Sequence, residues 1–225
     1  MRMLLASAGI TNSSIHAALL DLLGKPIAEC SALAITTASY AMPGFGLQSA
    51  WKFITGNEPE CPMVGLGWKS IGVLELTALP SLDRDVWVPS LEQTDVLLVN
   101  GGDPLFLNYW MQQSGLAELL PSLQNLVYVS LSAGSMIMAP RIGDFFVDWK
   151  QPSGDDRTLG LIDFAIYPHL EHPSLPHNTM ANAERWAATM PCTAYAIDDA
   201  TAFTVVDGAM EVVSEGQWRA FNVEQ

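Results

Sequence analysis

The sequence predicts an α/β protein with a doubly wound, mostly parallel sheet, that is, a sheet covered by helices on both faces. Short apolar runs typical of strands alternate with segments whose apolar residues recur at helical spacing. The run at residues 96–100 is apolar at its first four positions, as expected of a strand buried on both faces. After about residue 190 the pattern changes to short strands with turn residues between them. This change predicts a C-terminal antiparallel β extension at the edge of the sheet.

The individual elements follow from these patterns in chain order. Asn12 and Ser13 are N-cap candidates for the first helix, and Gly24 is expected to end it. The predicted strands of the first part lie at residues 3–8, 31–37, 70–76, 96–100, 126–129 and 164–167, and the helices lie at 15–23, 47–55 and 105–120. The short strands of the extension are placed at residues 194–197, 202–206, 210–213 and 218–221, and a polar loop at 144–161.

Composition limits the classes of function that remain. We expect one domain over residues 1–225, because this length suits one sizeable core. A net charge of −14 leaves too few cations for a basic patch, which argues against a nucleic-acid partner. No apolar run approaches the length of a membrane span, and the apolar start of the chain is interpreted as a strand, not a signal peptide. Cys30, Cys61 and Cys192 are far apart, so we expect a reducing, cytoplasmic location.

The most informative segment is the strand-to-helix junction at residues 130–135, Ser-Leu-Ser-Ala-Gly-Ser. Small residues around a serine, between an apolar strand and an apolar helix, are typical of a nucleophile elbow. Such a turn presents Ser132 at the carboxyl edge of the sheet. Ser130 stands where the usual motif has glycine. The alternative interpretation is a tight turn of an α/β protein without a catalytic role.

A nucleophilic serine needs a base, and the chain has four histidines. His169 directly follows the apolar strand at 164–167, which places it at a strand end like Ser132, so it is the candidate base. His16 is expected on the surface of the first helix. His172 and His177 follow in a proline-rich loop, and the three clustered histidines match no familiar metal-ligand spacing. We therefore predict neither a metal nor an organic cofactor.

Two further groups would complete a hydrolytic site. The backbone N–H groups of Gly102 and Ala133 are candidates for an oxyanion hole, because a glycine lets the main chain approach a ligand oxygen closely. A carboxylate should orient the histidine. The candidates for this acid lie at two turns, one after the strand at 194–197 and one after the junction at 130–135; they are Asp198, Asp199, Asp144 and Asp148.

These residues, in this order, resemble the aspartyl dipeptidase (peptidase E) family of serine peptidases. That family has a Gly-Gly-Gly-Asn-Thr-like loop, a Ser-Ala-Gly-Ala elbow, an Asn-Pro-His-Phe segment and a Pro-Glu-Gly-Asn turn. The similar segments here are Asn100-Gly101-Gly102-Asp103-Pro104, Ser132-Ala133-Gly134-Ser135, Tyr167-Pro168-His169-Leu170 and Asp198-Asp199-Ala200-Thr201. The resemblance covers essentially the whole chain and implies a flavodoxin-like fold related to class I glutamine amidotransferases.

The resemblance also implies roles. Ser132 would be the nucleophile, His169 the base, Gly102 and Ala133 the oxyanion hole, and Asp199 would replace the glutamate of the family. Members specific for an N-terminal aspartate use an arginine downstream of the histidine. Only Arg185 is available in the corresponding region here, and a misplaced arginine would lose the paired contact with a carboxylate.

The function expected from the sequence is thus a serine exopeptidase acting on small peptides, with Asp-X dipeptides as one possible substrate class. Two alternatives remain: an acyl hydrolase or esterase that uses the same residues, and a catalytically silent binding module on an amidotransferase-like scaffold. The expected partner is a small peptide, with no nucleic acid or membrane, and the protein is expected to be a monomer or a homodimer.

Overall fold

The computed structural model describes residues 1–42, 46–57 and 62–223, so Cys61 lies outside the described residues. The strands are β1 (Arg2–Ala6), β2 (Ser31–Ile35), β3 (Ser70–Val73), β4 (Val96–Val99), β5 (Val127–Leu131), β6 (Phe164–Tyr167), β7 (Thr193–Ile197), β8 (Thr201–Val206), β9 (Ala209–Ser214) and β10 (Trp218–Phe221). The helices are α1 (Ser13–Leu23), α2 (Gly46–Thr55), α3 (Arg84–Glu92), α4 (Pro104–Gln113), α5 (Leu116–Leu119), α6 (Ala133–Met136) and α7 (Met180–Ala187).

Seven strands form the main sheet, in the order β3-β2-β4-β5-β1-β8-β9. The first five of these pair in parallel, whereas β8 runs antiparallel to β1 and β9 antiparallel to β8. The predicted α/β class and mostly parallel sheet are confirmed. Since β1, β4 and β5 are parallel and adjacent, the loops that follow them meet at one edge of the sheet.

The sheet is covered on both faces, as a doubly wound sheet requires. Alternate residues of a strand point to opposite faces. Leu4 of β1 belongs to a buried cluster with the apolar residues of α1, whereas its neighbour Leu5 belongs to a second cluster with α3, α4 and α7. α1 begins at Asn12, whose side chain accepts from the N–H of Ile15, and ends at Gly24 in the left-handed conformation. Both caps agree with the prediction.

The C-terminal strands differ in part from the prediction. β8 and β9 do extend the edge of the main sheet, but β6, β7 and β10 form a separate sheet of order β10-β7-β6, in which β7 pairs with both of the others. Aromatic packing accounts for this arrangement. Phe203 of β8 lies 5.1 Å from the ring of Phe164 and 5.2 Å from that of Tyr195, so the small sheet packs across one face of the large one.

Two helices were missed and one was predicted too long. α3 and α7 were not predicted, and the helix expected over residues 105–120 is divided into α4 and α5. The break is at Gly115, whose φ of 76° is left-handed and incompatible with a continuous α-helix. Among the described residues, no helix has both the length and the apolar character needed to cross a membrane.

Candidate active site

Ser132 occupies a strained turn between β5 and α6. Its φ and ψ are 49° and −115°, a conformation that residues other than glycine rarely adopt. The backbone holds it there, because its N–H donates to the carbonyl oxygens of Ala6 at 3.1 Å and Ser7 at 3.0 Å. The side chain does not cap α6, and the hydroxyl bonds to no other described residue. The turn therefore presents the Ser132 hydroxyl, without a hydrogen bond to a described residue, at the carboxyl edge of the sheet.

The small residues around Ser132 have structural reasons. A Cβ on Gly134 would lie 2.9 Å from the carbonyl oxygen of Val99, so α6 can approach β4 only with glycine there. Ser130 is fully buried, and its Oγ lies 2.9 Å from that of Ser135, which donates to the carbonyl oxygen of Ala6 at 2.8 Å. Because Ser135 gives its proton to Ala6, Ser130 donates to Ser135. The serine that replaces the usual glycine is thus fully paired.

His169 follows β6 and also has a left-handed backbone, with φ 56°. Its Nδ1 lies 2.6 Å from Oδ1 of Asp199, which follows β7, the strand parallel to β6. Burial raises the pKa of Asp199, but the hydrogen bonds from His169 and Ser7 and the histidine charges outweigh it, so that the pKa is lowered. Asp199 is therefore a carboxylate at neutral pH and accepts from Nδ1–H of His169. In the neutral tautomer that makes this donation, Nε2 is the ring nitrogen without a proton.

Two residues beside this pair had no predicted role. Ser7, at the end of β1, donates to Oδ1 of Asp199 at 2.9 Å and accepts from the backbone N–H of His169 at 2.8 Å. Nε2 of His172 lies 3.5 Å from Oδ2 of Asp199. The position of Ser7 at the end of an apolar strand was the available signal, since the site is built from strand ends. No pattern in the sequence indicated that this strand end would contact Asp199.

Gly102 and Ala133, the two predicted oxyanion donors, lie in the loop after β4 and at the start of α6. Gly102 has φ 138°, and a Cβ there would overlap the backbone of Ala38, so only glycine fits. Neither the N–H of Gly102 nor that of Ala133 donates to another described residue, whereas the neighbouring N–H of Gly101 donates to Oδ1 of Asn100 at 2.8 Å. Among the described residues, the two predicted donors have no acceptor, whereas the N–H of Gly101 has one.

Asp103 joins the glycine loop to the loop after Gly143. One carboxylate oxygen caps α4 by accepting from the N–H of Phe106 at 2.8 Å, and the other accepts from the N–H groups of Asp148 at 3.1 Å and Trp149 at 2.7 Å. Burial of the carboxyl group outweighs these donors and raises its pKa. The aspartate at this position, where the related family has asparagine, thus attaches a second loop to the rim of the site.

These groups border one cavity of about 1030 Å³. Ser132, Gly102 and His169 line it, and residues of α2 and of the segment 145–148 also contribute to its wall. Among the described lining residues, Lys52 is the one lysine or arginine, and its side chain is exposed. Asp148, one of the predicted acids, also lines this cavity but bonds to His169 in no described contact. The cavity is large enough for a small peptide.

Two of the predicted acids, Asp198 and Asp144, and the predicted substrate contact Arg185 do not line this cavity. Asp198 accepts from the N–H of Ala200 and the hydroxyl of Thr201, and it also accepts from the N–H of Gln217, so its carboxylate stabilises the turn after β7. Asp144 and Arg185 instead line a neighbouring cavity of about 540 Å³. Arg185, in the last turn of α7, is exposed and its guanidinium bonds to Asn182.

Comparisons with known proteins identify the family and the fold. The model of Peptidase family S51 matches residues 63–213, well over half of the chain. A crystal structure of a Listeria monocytogenes EGD-e protein, provisionally named peptidase E, has a TM-score of 0.66 at 17% identity and covers 96% of this chain and 98% of its own. A peptidase from an acI-B1 Actinobacterium has a TM-score of 0.65 at 17% identity, with 96% and 88% covered. No curated protein matches the sequence. At this identity the two structures establish the fold, and the family model establishes the family. The chain therefore belongs to peptidase family S51, a family of serine peptidases.

Proposed function

We propose that the chain is a serine exopeptidase that hydrolyses the N-terminal peptide bond of small peptides, with Ser132, His169 and Asp199 as its catalytic triad. The observation that carries this proposal is the 2.6 Å pair between Nδ1 of His169 and Asp199, at the edge of a cavity to which the strained turn presents Ser132. A carboxylate that fixes the tautomer of a histidine, with a serine at the same cavity, is the arrangement that activates a hydroxyl for acyl transfer.

In the acylation step, Ser132 Oγ attacks the carbonyl carbon of the first residue, and Nε2 of His169 takes the hydroxyl proton. The tetrahedral intermediate then collapses, the C–N bond breaks, and His169 returns the proton to the leaving amine. Ser132 has no competing hydrogen bond to a described residue, so its hydroxyl can turn towards Nε2 when substrate binds. Asp199 stabilises the imidazolium form that exists between the two proton transfers.

Deacylation reverses these roles with water as the nucleophile. His169 removes a proton from the water, the hydroxide adds to the ester carbonyl, and the proton passes to Ser132 Oγ as the C–O bond breaks. In both steps the negative oxygen would accept from the N–H groups of Gly102 and Ala133, which have no other acceptor among the described residues. A single oxyanion donor of this kind typically contributes roughly 10²–10³-fold to kcat.

Substrate selection would rest on charges at the cavity wall. An exopeptidase must bind the free amino group of its substrate, and the exposed carboxylate of Asp148 is available for that role. An acidic N-terminal side chain would need a cation. We assign that contact to Lys52 on α2 and not to Arg185, since Arg185 lines the neighbouring cavity. A lysine is a point charge without the paired geometry of arginine, so weaker selectivity for Asp-X is expected.

The test combines a panel of dipeptides and aminoacyl p-nitroanilides, Asp-X included, with labelling by a fluorophosphonate reagent. Wild-type protein is expected to release the N-terminal residue, and Ser132→Ala to lower kcat by roughly 10⁴-fold or more, because no other group can form the acyl intermediate. The label should map to Ser132. Ser49→Ala is the control, because Ser49 lines the same cavity without the strained turn.

Other outcomes would redirect the proposal. Hydrolysis retained by purified Ser132→Ala would refute the role of this serine. Turnover of esters with no turnover of amides would identify an acyl hydrolase. Absence of both turnover and labelling would favour a silent binding module.

A further inference from the structure

Ser7 lies behind the candidate site and not in it. It directly follows β1, its side chain is fully buried, and it is absent from the residues that line the cavity. A substrate therefore cannot reach its hydroxyl. Any effect of the Ser7 hydroxyl on the reaction must pass through the groups that the hydroxyl contacts, which are the backbone N–H of His169 and the carboxylate of Asp199.

The hydrogen bonds among these residues form a closed ring. The backbone N–H of His169 donates to Oγ of Ser7 at 2.8 Å, and the Ser7 hydroxyl donates to Oδ1 of Asp199 at 2.9 Å. The same Oδ1 accepts from Nδ1 of His169 at 2.6 Å. One carboxylate oxygen is thus tied to the ring of His169 directly and to its main chain through the serine. Because a hydroxyl has one proton and two lone pairs, Ser7 fills both roles at once.

This ring of hydrogen bonds supports the backbone conformation of His169. His169 has φ 56°, which is unfavourable for a residue with a Cβ, so its conformation needs support from outside the segment. The Ser7 hydroxyl accepts from the backbone N–H of His169 and holds the carboxylate of Asp199, to which the imidazole of His169 is bonded. The result is one orientation of the imidazole, in which Nε2 bonds to no residue that the structure describes.

The main chain of the acid loop is held separately. The hydroxyl of Thr11 donates to the carbonyl oxygen of Asp199 at 2.7 Å, and the side-chain amide of Asn12 donates to that of Ala200 at 2.9 Å. These two bonds place the loop after β7 without Ser7. Loss of the Ser7 hydroxyl would therefore release the side chains of His169 and Asp199 while the loop stays in place.

We propose that Ser7 is a positioning residue that couples the main chain of His169 to the carboxylate of Asp199 and so sets the orientation of the imidazole. The inference rests on the proposed hydrolytic function, in which His169 is the base. Ser7 touches no reacting atom, and its contribution falls on the chemical step and not on substrate binding.

The test uses Ser7→Ala, and Ser7→Cys as a second variant should the alanine variant fail to fold. The cysteine keeps a heavy atom in the place of Oγ, but its thiol is only a weak donor and acceptor. Ser114→Ala is the matched control: Ser114 is also buried, its Oγ donates to the carbonyl oxygen of Met111 and accepts from the N–H of Leu116, and it does not line the cavity. Two readouts are taken, kcat and KM on the best peptide of the panel, and the downfield proton resonance of Nδ1–H of His169.

Both Ser7 variants are expected to lower kcat about ten- to a hundredfold, the value of a hydrogen bond to a charged group, with KM changed by less than about twofold. The Nδ1–H resonance should broaden or disappear, and Ser114→Ala should preserve both kcat and the resonance. Retention of kcat and the resonance in Ser7→Ala, or equal losses in Ser114→Ala, would overturn the proposal. The resonance can be recorded on protein that hydrolyses no peptide, so failure of the proposed function is distinguished from failure of this inference.

Discussion

The Ser132 turn and the His169–Asp199 pair are held in place in different ways. The restraints on the turn come in part from residues 130–135 themselves and in part from the ends of β1 and β4, the two strands beside β5. The pair combines three segments that are distant in the chain, since Ser7 is 162 residues from His169 and 192 from Asp199. The Ser132 turn can therefore be recognised in one short segment of the sequence, whereas the His169–Asp199 pair depends on the topology of the sheets.

The difference shows where strain is supported. Both Ser132 and His169 adopt left-handed φ values. At Ser132 the strain is opposed by two main-chain acceptors on β1 and by small neighbours, whereas at His169 it is opposed by a side-chain hydroxyl and a carboxylate. Side-chain restraints can be removed one at a time by mutation. We therefore expect substitutions around the pair to affect activity more selectively than substitutions around the turn.

The largest effect is expected at the acid. Asp199→Asn should lower kcat about 10³–10⁴-fold, because an amide in this place no longer stabilises the imidazolium and favours the wrong tautomer of His169. Steady-state kinetics with the best peptide of the panel measure it. Asp198→Asn is the control, since the adjacent carboxylate bonds only to its own turn and to Gln217; it should lower stability and change kcat by less than about threefold. Equal losses of kcat in the two variants would contradict the role of Asp199 as the acid of the triad.

An intermediate effect is expected at Gly102, on the serine side of the site. Gly102→Ala should lower kcat about 10²–10³-fold, because a Cβ overlaps the backbone of Ala38 and displaces one of the two free N–H donors. Gly154→Ala is the matched control: Gly154 also has a positive φ, 73°, but nothing lies within 4 Å of an added Cβ. If the two variants lost activity equally, backbone strain and not the position of the donor would be the cause.

The smallest effect is expected inside the turn itself. Ser130→Ala and Ser135→Ala should show a coupling free energy of about 0.5–1.5 kcal/mol in a double-mutant cycle, because their hydroxyls bond to each other in a fully buried place. Urea unfolding of the two single variants and the double variant measures this coupling. Strict additivity would mean that the two hydroxyls do not interact, and that the main chain alone maintains the turn.

The local half of the site could be predicted from the sequence. The order of small residues around Ser132, the strand before it and the glycines at 101–102 were sufficient to place the serine and both N–H donors at one edge of the sheet. The same reasoning placed His169 at a strand end. Capping residues predicted the limits of α1, and the apolar strands predicted the parallel sheet.

The non-local half could be predicted only in part. Asp199 was one of four candidate acids, and the sequence offered no way to exclude Asp198, whose carboxylate bonds instead to the N–H groups and the hydroxyl of nearby turns. Arg185 follows the histidine at a plausible distance, yet the unpredicted helix α7 carries it to the neighbouring cavity. The separate small sheet was missed because aromatic contacts between β6, β7 and β8, and not strand patterns, decide which sheet a strand joins.

The buried carboxylate of Asp103 has a consequence for the size of substrates. It accepts from the N–H groups of Asp148 and Trp149 and, through its other oxygen, from that of Phe106. Withdrawing the wall at 145–148 would leave a buried acid without two of its donors, which is costly. The wall is thus fixed to the loop that carries Gly102, and the opening has a set width. We expect the molecule to act as a molecular sieve. Folded proteins and long chains would be too large to enter the cavity, and only short peptides would reach Ser132.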